Sequence, residues 1–282
     1  YARPVGDLVQ SGDKFYFMCE GSGYVSGYVC EFDISSEIVT QLISLEHETY
    51  QANHSRTGGS VLVLGNLLYA TVSSGPSDDG FMFSITKTGD DFTKRLIFRG
   101  TANGRFPEGN LIAQGSYFYG MTPEGGTQEQ GCIFRINQDG SGYTKLFDFN
   151  GSNGRMPKGS LLYYNGKFYG TTSEGGNYGY GIVFRINPDG SGFNILHHFN
   201  EFDGSFPAEN LIADAGVLYG TTQTGDINSD GTLFSIHTDG TDFTTLYNFD
   251  YYTTGGYPYG SLVKSGNKLL AMTHHGGNQY KR

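Results

Sequence analysis

The residues best equipped for chemistry sit in short polar stretches between strings of apolar and aromatic residues. Asp226-Ile227-Asn228-Ser229-Asp230-Gly231 places oxygen donors at alternate positions, the spacing of the first half of an EF-hand loop and suited to a hard cation. His237 stands where the closing Glu would be, and Thr232-Leu233-Phe234 reads as a strand, so an EF-hand is rejected. A loop-borne Ca²⁺ site on Asp226, Asn228 and Asp230 stays as the metal candidate. His197-His198 fall in a strand, where neighbours face opposite ways and cannot share one ion. His274-His275 occupy a loop slot, and no spacing supports zinc. There is no Gly-x-Ser-x-Gly elbow and no distinctive carboxylate pair, so no catalytic residue is assigned.

The remaining candidates are polar and aromatic. One loop carries Glu124, Gln128, Glu129 and Gln130; the next carries Glu174, Asn177, Tyr178 and Tyr180. A second loop series supplies Arg105, Arg155, Asp203, Tyr251, Tyr252 and Tyr257. Aromatic rings beside amides and carboxylates can stack on a sugar and hydrogen-bond its hydroxyls. The plainer reading is a solvated polar rim. The candidate ligand set is Glu124, Glu174, Asn177, Tyr178, Arg105, Arg155, Tyr251 and Tyr257.

The elements that must position these residues are repeats. Tyr119-Gly120-Met121-Thr122, Tyr169-Gly170-Thr171-Thr172 and Tyr219-Gly220-Thr221-Thr222 recur every 50 residues, with degraded copies at Tyr69-Ala70-Thr71 and Leu270-Ala271-Met272-Thr273. The best copy, 154–203, predicts four strands. Ser160–Tyr164 and Lys167–Thr172 flank Asn165-Gly166, a strong hairpin signal. Ile182–Ile186 follows a Gly-rich loop, and Phe193–Phe199 follows the Asn187-Pro188-Asp189-Gly190 turn. Four antiparallel strands per copy is the blade of a β-propeller. The glycine of Tyr-Gly-x-Thr reads as a packing device that lets an aromatic approach where blades stack.

Copies run over about 4–53, 54–103, 104–153, 154–203, 204–254 and 255–282, read as one domain. The first is the most divergent, with an irregular excursion expected over Glu46–Thr57. The last holds only two strands, giving about six blades, five complete plus a half, and an expected continuation past Arg282. In an up-and-down blade the loops after the second and fourth strands share a face, and long loops on a rigid scaffold are where function concentrates.

Bulk properties agree. With 44 Gly, 21 Tyr, 21 Phe and no Trp among 282 residues, the chain suits short strands and tight turns. A net charge of −10 without a basic cluster argues against nucleic acid or an anionic membrane surface as partner. No apolar run reaches spanning length. Cys19, Cys30 and Cys132 form no disulfide framework, and a Cys19–Cys30 bridge between adjacent strands stays open.

The consensus Gly-x-x-Pro-x-x-x-Leu, Leu-Tyr-Gly-Thr-Thr-x-x-Gly-Gly, Gly-x-x-Phe-x-Ile-x-x-Asp-Gly resembles the GloVer repeat of bacterial secreted proteins. It is carried here by Pro157 to Leu161, Tyr169 to Gly176, Phe184-Arg185-Ile186 and Asp189-Gly190. The double glycine is also similar to kelch, whose tryptophan is missing. The GloVer resemblance implies a secreted or surface-displayed propeller, of a kind that often ends in a choice-of-anchor or type IX sorting domain; it transfers no activity to named residues. The expectation is a non-enzymatic module without a cofactor. Its partner would be a protein at the cell surface or in the secretion machinery, the alternatives being a glycan-binding propeller or a polysaccharide-active enzyme.

Overall fold

The computed structural model describes residues 3–20, 27–45, 58–73, 79–207, 209–225 and 230–277; the Glu46–Thr57 excursion lies outside them. Among the described residues there is no helix, and five four-stranded antiparallel sheets follow one another in chain order. The chain divides into two compact units, 1–145 and 146–282.

In the first unit, one sheet comprises Arg3–Ser11, Lys14–Glu20, Tyr28–Asp33 and Ile38–Ser44. The next comprises Leu62–Leu64, Leu67–Val72, Phe81–Thr86 and Thr93–Ile97. A third begins with Ile112–Gln114, Tyr117–Thr122 and Cys132–Asn137. In the second unit, the sheets are Leu162–Tyr164, Lys167–Thr172, Ile182–Ile186 and Asn194–His198, then Ile212–Asp214, Val217–Thr222, Thr232–His237 and Thr244–Asn248. The last copy holds two small pairings: Val263–Ser265 with Lys268–Leu270, and Gly256–Pro258 with Thr273–His275.

Local chemistry explains these boundaries. Asn165 and Gly166 have φ of 47° and 79°, the two positive values that a type I′ hairpin requires and that match the strand twist. In the Asn187–Ser191 turn, the Asp189 carboxylate accepts from the Ser191 amide at 2.9 Å and its hydroxyl at 2.6 Å, and the Gly190 amide donates to Asn187 O at 2.9 Å. The third and fourth strands share a bulge at one repeat position, between Val183 and Phe184 and between Leu233 and Phe234, which turns the outer strand's aromatics back toward the core.

The glycine of Tyr-Gly-x-Thr is a packing device, with the ring supplied from within the sheet. Gly170 is paired with Phe184 on the third strand of its own sheet, and a Cβ on it would lie 2.6 Å from the tip of that ring. Phe184 is fully buried, with ring centroids 5.5 Å from Phe149 and 5.4 Å from Phe193. Burying such a ring contributes roughly 1.5–3 kcal/mol, and Phe83, Phe134, Phe184 and Phe234 are buried at this position in the second to fifth copies, whereas the first has Cys30 there. The open question about Cys19 and Cys30 resolves against a bridge: both are free and buried, and burial pushes the Cys30 thiol up to about 12.

Candidate functional site: the loop ends of the repeats

The structure gives a structural role to half of the candidate set. In the second unit Arg155 and Glu174 exchange backbone hydrogen bonds (Arg155 N–H to Glu174 O at 2.8 Å, Glu174 N–H to Arg155 O at 3.1 Å), and their side chains form an ion pair. This contact ties the loop after the second strand to the opening motif of the same copy. Arg105 and Glu124 are bridged likewise in the first unit, and at the equivalent place Ser205 and Thr224 pair hydroxyls at 2.8 Å. Charge pair and hydroxyl pair replace one another as units, which is the behaviour of a staple.

Around Arg105 the staple widens into an open depression of about 350 Å³, lined by Asp79, Phe98, Arg99, Thr101, Arg105 and Glu129 among others. Arg105 Nη2 pairs with Glu129 at 2.8 Å, and Asp79 and Glu124 stand at 3.9 and 4.0 Å. The guanidinium is thus held by Glu129, with the carboxylates of Asp79 and Glu124 farther off, so acidic groups outnumber it three to one.

Asn177 is positioned through its backbone: its N–H donates to His198 Nδ1 at 3.1 Å. Burial, then the neighbouring His197, lowers the His198 pKa, which keeps this nitrogen an acceptor. His197 points the other way, as the strand alternation predicts; its ring stacks on Phe243 at 3.7 Å and its Nε2 meets Asp203 at 3.1 Å. Neither histidine is left to bind a metal. Of the Ca²⁺ candidates, Asp226 and Asn228 lie outside the described residues. Asp230 holds loops together: its carboxylate accepts from the Tyr251 amide and its carbonyl from the Tyr257 amide, both at 2.8 Å. Among the described residues no group of three His, Cys, Asp or Glu could hold a metal ion.

The aromatic candidates behave differently. Tyr178 and Tyr252 are 62% and 81% exposed, and Tyr251 and Tyr257 are partly exposed, at 44% and 39%. Sequence reasoning passed over Phe202, 77% exposed, and Phe206, both in the loop after a fourth strand. Phe206 and Tyr257 each precede a proline yet hold φ of 55° and 56°, as do Phe106 and Met156 at 57° and 54°. Bulky pre-proline residues avoid this left-handed region, at a cost of order 1–3 kcal/mol. The conformation is fixed by the preceding copy: Phe206 N–H donates to Tyr180 O at 3.2 Å and Tyr257 N–H to Asp230 O at 2.8 Å. Phe206 and Tyr257 are exposed in this conformation, whereas Phe106 and Met156 are half-buried.

Sequence reasoning also missed a hydrogen-bond relay at the start of each copy's first strand. Ser160 N–H donates to Asn210 Oδ1 at 2.7 Å, and Asn210 Nδ2 donates to Ser261 Oγ at 2.8 Å. In the first unit Ser60 N–H donates to Asn110 Oδ1 at 2.5 Å, and Asn110 Nδ2 to Asp7 Oδ2 at 3.1 Å. The signal was a Ser or Asn before the first-strand Leu or Val at the repeat period.

Comparisons with solved structures find the same architecture. A nidogen/laminin complex is similar at a TM-score of 0.54 and 14% identity, over 86% of this chain and 78% of that one. A putative TolB from Agrobacterium tumefaciens is similar at 0.54 and 15%, over 87% and 80%. The Niastella koreensis GH74 enzyme is similar at 0.55 and 15%, over 89% of this chain and 39% of its own. At such identities the likeness shows the fold alone, and the fold is a β-propeller. No curated protein matches. The family model of the Gloeobacter/Verrucomicrobia repeat matches residues 3–215 and 155–281. With the 50-residue copies accounting for every sheet and two matches covering nearly all of the sequence, the chain belongs to the Gloeobacter/Verrucomicrobia repeat family.

Proposed function

We propose that this β-propeller is a secreted or cell-surface, non-enzymatic module that binds a protein partner through its loop ends. The observation that carries this reading is the outward display of Phe202, Phe206, Tyr251, Tyr252 and Tyr257 on the loops after two successive fourth strands of the second unit. Tyrosine and phenylalanine are enriched at protein interfaces, where rings contribute area at little entropic cost. Two of the five, Phe206 and Tyr257, sit on the left-handed pre-proline backbone that the repeat adopts in four copies. The location outside the cell rests on the likeness to secreted bacterial repeat proteins.

A second reading, glycan binding, is favoured by Tyr178, exposed beside Asn177 on the loop after a second strand. The two separate experimentally. A protein partner should be captured by the chain from envelope and extracellular fractions of the source cells, with capture lost in Tyr252→Ala and retained in Tyr178→Ala. Saturable binding on a glycan array, lost in Tyr178→Ala, would replace the first reading with the second. Release of soluble product from a polysaccharide panel would overturn both.

A further inference from the structure

Asn150-Gly151-Ser152 is an Asn-x-Ser triplet, the acceptor signal for N-linked glycosylation. Such a triplet often arises by chance; its surroundings single this one out. It lies in the loop that follows the strand ending at Asp148, and Asn150 and Ser152 are both exposed. A Cβ on Gly151 would meet nothing within 4 Å, so the middle of the triplet faces open space.

Asn150 closes an Asx turn with its side-chain oxygen alone. Asn150 Oδ1 accepts from the Ser152 hydroxyl at 2.9 Å and from the Asn153 amide at 3.0 Å, while among the described residues its Nδ2 makes no hydrogen bond. The same loop in the next two copies shows that the fold needs only the oxygen. Asn200 Oδ1 accepts from the Phe202 amide at 2.9 Å, and Asp250, which has no side-chain nitrogen, accepts from the Tyr252 and Thr253 amides at 3.0 and 2.9 Å. At Asn200 the nitrogen is committed too, donating to Asp203 Oδ2 at 2.7 Å. Asn153 replaces that aspartate in the Asn150 loop, and the nitrogen of Asn150 is left for other use.

We propose that Asn150 is an acceptor for an N-linked glycan, an inference that rests on the reading that the chain lies outside the cytoplasm. In the transfer, Asn150 Nδ2 attacks the anomeric carbon of an oligosaccharide carried on a polyprenyl pyrophosphate. The N–C1 bond forms as the C1–O bond to phosphate breaks, and the pyrophosphate leaves with the electron pair. One amide proton goes to a base of the transferase, and nothing is oxidised or reduced. The product keeps Oδ1, so the Asx turn survives the modification. The turn also holds the Ser152 hydroxyl beside the Asn150 side chain, which presents both recognition groups together and lowers the ordering cost of binding. Transferases of the bacterial type further take an acidic residue two places before the asparagine, where Asp148 stands.

The test incubates the purified, folded chain with a bacterial-type oligosaccharyltransferase and a lipid-pyrophosphate-linked oligosaccharide, read by intact mass and by fragmentation of the glycopeptide. A synthetic peptide spanning 145–155 is the unfolded control. The expected result is a mass gain of one oligosaccharide, located on Asn150. Asn150→Asp keeps the turn acceptor that Asp250 provides, so it should abolish the gain and leave the circular dichroism unchanged. Ser152→Ala should abolish the gain and Ser152→Thr should retain it. The chain's second triplet, Asn53-His54-Ser55, lies outside the described residues and has Gln51 at the acidic place, so it should stay unmodified. An unmodified folded chain overturns the proposal, whether or not the peptide is modified, and so does a gain that persists in Asn150→Asp. The reaction is independent of where the chain resides and of Tyr252-dependent capture, so failure of the acceptor site is read apart from failure of the proposed location or partner.

Discussion

Replacing Gly170 by Ala tests the packing logic of the repeat at its most constrained point. Gly170 does not have the positive φ that favours glycine, so its backbone would accept alanine. On conformational grounds the change should then stabilise the strand by about 0.5–1 kcal/mol. Sterics oppose it: the new methyl would lie 2.6, 3.0 and 3.4 Å from Phe184 Cζ, Cε1 and Cε2. Phe184 is fully buried and wedged between Phe149 and Phe193, so it has little room to retreat. Overpacking in such a core costs roughly 1–3 kcal/mol, and the net expectation is a loss of about 0.5–2 kcal/mol. Denaturant unfolding of Gly170→Ala, Phe184→Leu and the double variant forms a cycle in which the smaller side chain should recover most of the alanine's cost. Ala70 faces Phe83 in the second copy, so the arrangement can adapt when the whole cluster differs. A neutral or stabilised Gly170→Ala, or strictly additive effects, would refute the steric account.

Three further outcomes follow from the same geometry. Asn165→Ala should lose about 1–2 kcal/mol in denaturant unfolding, because its φ of 47° is unfavourable for alanine, whereas Asn165→Gly should be nearly neutral. Asn210→Ala leaves the buried-side Ser160 amide without its acceptor and should cost about 1–3 kcal/mol by the same assay. The His198 pKa is lowered from 6.5, so the folded state resists protonation: its contribution is present above 6.5 and is lost as pH falls through the lowered folded value. The unfolding midpoint should drop on acidification over that range, and His198→Gln should flatten the drop.

Much of the fold was legible because the repeat marks its own strands. The second and third strands of the best copy, Lys167–Thr172 and Ile182–Ile186, run as read from their apolar patterns, and Asn165-Gly166 turns as its chemistry demands. The fourth strand, Asn194–His198, is shorter than its apolar run: Phe193 and Phe199 lie just outside it and pack on Phe184 and Phe234, and a bulge falls at Leu196 within it. No glycine marks that bulge. The site was less legible. Arg155 and Glu174 look like binding groups when read singly, and only the bridge that closes the first-strand and second-strand hairpin between them shows them as partners. Exposure of Phe206 was hidden for a related reason: nothing in a phenylalanine's type says that the preceding copy holds its backbone in a left-handed turn.

Site-specific photo-crosslinking most directly tests the claim that the loops, and not the repeat's staples, carry function. A benzophenone side chain would be placed at Tyr252 and, as control, at the exposed Ser116 in the tight turn of a hairpin, in chain exposed to envelope and extracellular fractions of the source cells. The account predicts one discrete protein adduct from position 252 and none from 116. Equal labelling from both positions, or no protein adduct from either, would contradict it.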